Sequence, residues 1–193
     1  MLIRLFFLGL LAAISMLLFF PLNTRQGRLR KSALVKHIPF IPAFIIPYLG
    51  LFPYIAFSML ALLFFTPVAA RLYVSLIFSG LVAALIWYFI PTGVSERPEF
   101  EPKGPFTKAT AWMYSLDPRC NAFPSSHTYT AIVCSYYLTF AFPLHETLIA
   151  SCGALIVSST MFMKQHHLSD LVAGAALAAA SIAFSYFILG GLA

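Results

Sequence analysis

The sequence predicts an all-α integral membrane protein: a six-transmembrane helix bundle forming one domain, residues 1–193, with its polar groups gathered at one membrane face. Three observations predict it. Hydrophobic residues make up 61% of the chain and charged residues 9%, where soluble domains carry about 25% charged. The apolar residues run in blocks too long for a small globular core, and runs of about 18 or more with few charges read as spans. Those runs are continuous rather than alternating, which argues against a β-barrel.

The spans follow in order. Span 1, residues 3–20, carries a single Arg4. It also resembles a signal peptide, but no small-residue cleavage site follows it, so it reads as an uncleaved helix. Span 2, residues 38–65, holds Pro39, Pro42, Pro47 and Pro53. Its first half is therefore expected to be broken or to lie along the interface. Span 3 covers residues 72–90, span 4 residues 128–142 and span 5 residues 147–163. Span 6, residues 171–189, is rich in Ala and Gly, which suits close helix packing.

The three cysteines are Cys120, Cys134 and Cys152. Their odd count and their spacing give neither a disulfide framework nor a metal box. The net charge of +6 is no nucleic-acid signal in such a chain, because membrane proteins sort Lys and Arg by side. Alternation puts residues 21–37, 91–127 and 164–170 on the side opposite the N-terminus. That side holds Arg25, Arg28, Arg30, Lys31, Lys36, Arg97, Lys103, Lys108, Arg119 and Lys164, ten of the twelve basic residues. Arg4 and Arg71 fall on the other.

The same face holds three polar clusters. PTGVSERPEF, residues 91–100, places Arg97 before Pro98 just after span 3. NAFPSSHTYT, residues 121–130, opens span 4. There Pro124 suits a helix start, and Ser125 or Ser126 could cap it. The free N–H groups of a helix start favour an anion, and His127 falls in that first turn. KQHHLSD, residues 164–170, sits between two apolar runs. On a helix His166 and Asp170 are i and i+4 and share a face, and His167 and Asp170 are i and i+3. A carboxylate beside an imidazole holds one ring nitrogen and raises the basicity of the other. Asp170 opens a span, where an ionisable residue is a functional candidate by default. Taken together, the cations and helix N–H groups fit a phosphate, and two histidines fit a nucleophile and a proton donor.

FPSSH at 123–127, KQHHLSD at 164–170 and the upstream Arg97-Pro98 resemble the type 2 phosphatidic acid phosphatase superfamily, the lipid phosphate phosphatases. Its motifs run Lys-x6-Arg-Pro, Pro-Ser-Gly-His and Ser-Arg-x5-His-x3-Asp, and His166-x3-Asp170 matches the last spacing. The FPS-x-H and KQH-x3-D forms, with IPFIPAFIIPYL at 38–49, are closer to the inositol phosphorylceramide synthase-like branch. The chain departs from the motifs at Ile90, Ser126 and Thr160, which stand where the family has Lys, Gly and Arg. Lys164 is the candidate replacement for one missing cation; Lys103 and Lys108 are weaker candidates for another.

The resemblance implies an active site at one membrane face. His166 would attack phosphorus and form a phosphohistidine, Asp170 would orient it, and His127 would protonate the leaving oxygen. Arg97, Lys164, Ser125 and the Ser126 N–H would hold the phosphate, with no metal and no cofactor. The expected partners are a lipid phosphate substrate and membrane lipids, not nucleic acid. The expected location is a cell membrane, the bacterial inner membrane, crossed several times. Hydrolysis and head-group transfer share the first half-reaction, so both stay open. So do a small transporter, and a metal site on His127, His166 and Asp170. The Lys/Arg count puts the site face in the cytoplasm, whereas Arg4 and the resemblance favour the exoplasmic side.

Overall fold

The computed structural model describes residues 2–24, 27–117 and 119–190; Arg25 lies outside them. Helix α1 (Leu2–Leu17) runs into a short α2 (Phe19–Leu22). Strand β1 (Arg28–Arg30) and 3-10 turns at Leu34–His37 and Pro42–Phe44 lead to α3 (Ile45–Leu49) and α4 (Leu51–Ala61). Next come α5 (Thr66–Phe89), β2 (Thr92–Val94), α6 (Pro105–Leu116) and α7 (Ser126–Ala141). Helices α8 (Glu146–Phe162) and α9 (Leu168–Leu189) finish the described chain.

Among the described residues, five helical segments are long and apolar enough to cross a membrane: Ile3–Leu22, Pro42–Phe64, Thr66–Phe89, Pro143–Phe162 and Leu168–Leu189. Helix α7, the expected fourth span, has 16 residues and is shorter than these. It is nevertheless the hub, packing on α4, α5, α8 and α9, while α1 packs along α5. The main core joins Leu72, Leu76 and Trp87 of α5 to Tyr129, Val133 and Tyr137 of α7 and Leu177 of α9. The second span is broken as its prolines predict. Residues 38–41 are not helical, and a 3-10 turn, α3 and α4 follow in short pieces.

Close helix contact sets the position of α7. A Cβ at Gly174 of α9 would lie 2.8 Å from the Ser125 carbonyl oxygen, so only glycine lets α9 pass the start of α7 this closely. Neutral hydroxyls also sit inside the bundle. The Tyr137 hydroxyl lies 3.1 Å from Ser75 Oγ and 2.6 Å from Ser185 Oγ.

Two features revise the purely helical expectation. Residues 91–127, read as a polar connection, contain the amphipathic helix α6, started by Pro105 at its first turn. Strands β1 and β2 pair in parallel, Arg28 with Thr92 and Arg30 with Val94. Residues 120–122 join the other edge of β2: Thr92 N–H donates to the Cys120 carbonyl at 3.0 Å, and Ala122 N–H to the Thr92 carbonyl at 2.8 Å. Gly93 is needed in this seam, because a Cβ there would fall 1.9 Å from the Arg119 carbonyl oxygen.

Candidate active site

The seam aligns strand β1 with two of the segments that carry the sequence clusters, and α7 and α9 start against it. Ser125 is the N-cap of α7, its Oγ accepting from the Thr128 N–H at 3.3 Å. Its own N–H donates to the Asp170 carbonyl at 3.1 Å, which ties the starts of α7 and α9 together. His127 follows in the first turn of α7, buried, its ring stacked on Tyr48 with centroids 4.1 Å apart. Among the described residues, neither of its ring nitrogens meets a well-aligned hydrogen-bond partner. The His127 and His166 ring centroids are 6.2 Å apart.

KQHHLSD is not a helix face. Residues 163–164 form a turn in which Lys164 takes a left-handed φ of 52°, and α9 begins at Leu168 with His167 as its N-cap. Asp170 accepts from the His167 N–H at 2.9 Å, closing that helix start. The two histidines diverge. His166 lines the cavity, and its Nδ1 lies 2.8 Å from the Ala122 carbonyl oxygen and 3.7 Å from Asp170 Oδ2. His167 turns to Glu96, with 3.0 Å between Nε2 and Oε2. Asp170 is fully buried and is paired by Arg30 through Oδ1.

A small cavity of about 20 Å³, room for one water, collects Arg97, Arg119, Asn121, Ser126, His127, Gln165 and His166. Arg97 is held by the Asp117 carboxylate and carbonyl and by Gln165 Oε1 at 2.5 Å, with its guanidinium 4.6 Å from the Tyr114 ring centre. Of the predicted site residues, Arg97, Ser126, His127 and His166 line this cavity, and Asp170 stands behind His166. Lys164 and Ser125 do not line it. The Lys164 ammonium donates to the Val35 carbonyl at 2.6 Å and to the Ile38 carbonyl, which holds the 3-10 turn at Leu34–His37. Burial pushes that ammonium below its ordinary pKa, and the nearby Glu96 charge opposes the shift.

Glu96 is held from three sides. Burial alone would raise its pKa, but the Ser32 N–H at 2.7 Å, His167 and Ser95 outweigh it and bring the carboxyl down to about 2. Arg30, Glu96, Arg119, Asn121 and Gln165 carried no functional assignment in the sequence. Arg30 and Arg119 were visible as basic residues on the site face, and Glu96, Asn121 and Gln165 lay within the three polar clusters. Among the described residues, no group of three His, Cys, Asp or Glu is arranged to hold a metal ion.

The class follows from this arrangement: a helical, multi-pass membrane protein with histidines and arginines buried around one cavity where two helices begin. The particular family follows from the chain. Residues 68–191, well over half of it and including both histidine clusters, match the PAP2 superfamily, and the protein belongs to that superfamily. It is thereby a phosphatase-type enzyme for phosphorylated substrates. No curated protein and no solved structure matches it.

Proposed function

We propose that this protein is a membrane-embedded lipid phosphate phosphatase working through a phosphohistidine on His166. The observation that carries the reading is the contact between His166 Nδ1 and the Ala122 carbonyl. A carbonyl only accepts, so Nδ1 carries the proton and Nε2 keeps its lone pair beside Arg97 and His127.

In this cycle Nε2 bonds to phosphorus as the bond from phosphorus to the lipid oxygen breaks, and His127 gives that oxygen its proton. Arg97 and the Ser126 N–H hold the phosphoryl oxygens. Asp170 stabilises the charge on His166 across the 3.7 Å gap to Nδ1. Water, losing a proton to His127, then breaks the nitrogen–phosphorus bond and releases phosphate. Ser125 and Lys164 act at one remove, by capping α7 and fixing the turn before His166. The cycle needs no metal. Helix α7 serves as the sixth span, which puts its start on the same membrane face as the start of α9. A lipid hydroxyl in place of water gives head-group transfer from the same phosphoenzyme.

The test is release of inorganic phosphate by the purified protein from phosphatidic acid, phosphatidylglycerol phosphate and a polyprenyl diphosphate. Turnover that survives EDTA and is blocked by vanadate supports the reading. A folded protein with no turnover on any of them sinks it and favours a transporter or binding role.

A further inference from the structure

Arg30 lies outside the matched residues 68–191, yet it reaches into the site. Its Nη2 donates to Asp170 Oδ1, and its Nη1 lies 3.4 Å from Ser169 Oγ. Its guanidinium stands 5.5 Å from the ring centre of Phe123, the residue after Ala122. Its main chain is fixed as well: the Arg30 carbonyl accepts from the Ser95 N–H at 3.2 Å and from Ser95 Oγ at 3.0 Å. Ser95 precedes Glu96 and Arg97, so one loop anchors both the strand that carries Arg30 and the cavity arginine.

The two oxygens of Asp170 are divided between two jobs. Oδ1 meets Arg30 and, at 3.3 Å, Ser169 Oγ. Oδ2 meets the His167 N–H at 2.9 Å and faces His166 Nδ1 at 3.7 Å. A fully buried carboxylate without a paired cation is strongly unfavourable. The other charged or titratable groups around this pair are already engaged or lie elsewhere. Glu96 holds His167, Asp117 holds Arg97, Lys164 is spent on carbonyls, and His127 and Arg119 line the cavity. Among the described residues, Arg30 is thus the cation paired with Asp170, on Oδ1, while Oδ2 points at His166.

We propose that Arg30 is a positioning residue for the His166 nucleophile, acting through Asp170 and making no contact with the phosphate. This rests on the reading of His166 above. Its test is steady-state kinetics of the full chain on phosphatidic acid in detergent micelles. Arg30→Gln should lower kcat tenfold or more and leave KM within threefold. Arg30→Lys, which keeps the charge against Asp170, should restore kcat to within threefold of the starting protein. In an Asp170→Asn background, where no buried carboxylate is left uncompensated, Arg30→Gln should cost nothing further. That double variant and Arg30→Lys keep the test open if Arg30→Gln alone does not fold. A rise in KM with kcat unchanged, or a further tenfold loss in the double variant, overturns the proposal.

A second readout does not need turnover. Carbethoxylation of His166 by diethyl pyrocarbonate, followed by mass spectrometry, should slow at least threefold in Arg30→Gln and not in Arg30→Lys. Equal rates in all three proteins overturn the role of Arg30. A protein that turns over no lipid phosphate but shows this difference refutes the phosphatase reading and leaves the positioning role standing.

Discussion

Each end of the bundle buries an arginine, and the two are held in different ways. At the end where α5 starts and α9 stops, Arg71 donates to the main-chain carbonyls of Gly190 at 2.6 Å and Pro67 at 3.4 Å, over the Tyr186 ring at 5.0 Å. A cation there complements the negative end of a helix. At the other end Arg97 is pinned by a carboxylate and an amide beside a cavity that also holds His127 and His166. A buried cation in a membrane helix bundle is therefore not a site by itself. The difference lies in whether other titratable groups converge with it on space that a ligand can enter.

That contrast can be broken by mutation. The largest expected effect is at His166: His166→Ala abolishes turnover and the phosphoenzyme, and a phosphorylated intermediate that still accumulates would remove it as nucleophile. Arg97→Met should slow turnover by about 10²–10³-fold, as loss of a preorganised charge does, measured as kcat/KM on phosphatidic acid. His127→Ala should slow it by about 10²-fold or more, and an unchanged rate would exclude it as the general acid.

Smaller effects sharpen the picture. Glu96 has its folded-state pKa lowered to about 2 from an ordinary 4.5. Its contacts thus contribute stability that is present above pH 4.5 and is lost as pH falls toward 2. Melting temperatures across that range should show the wild-type advantage over Glu96→Gln shrinking with acid, and an advantage independent of pH would contradict the ionic hold. Least affected in turnover should be Arg71→Leu, which leaves the Gly190 carbonyl without its donor. We expect about 1–3 kcal/mol lost in stability, read by thermal denaturation, with kcat unchanged. A collapse of kcat in a folded Arg71→Leu protein would erase the distinction between the two ends.

The helices were legible because long apolar runs have few other ways to fold in a bilayer, and the broken second span was legible from its prolines. Strands β1 and β2 were not, because three residues each are too few for periodicity to register. Helix α6 was missed although Gly104-Pro105 marks its start, since its mixed composition matched a polar connection. Within the site, FPSSH offered Ser125 or Ser126 as the cap, and the cap is Ser125. The i, i+4 spacing predicts His166 and Asp170 as helix neighbours, whereas the pair straddles a helix start. Spacing cannot show that the Ala122 carbonyl stands closer to Nδ1 than the carboxylate does. It also cannot show where a long cation ends, and so Lys164 was expected at a phosphate and is found on the carbonyls of residues 35 and 38.

The seam of residues 28–30, 92–94 and 120–122 has a consequence for synthesis. Arg30 and Asp170 are 140 residues apart in the chain, and Glu96 and His167 are 71 apart. When the ribosome has delivered the strands, their partners on α9 do not yet exist. The site is completed only once α9 is in place, so a chain cut short before His166 would leave Arg30 without its carboxylate and Glu96 without its histidine.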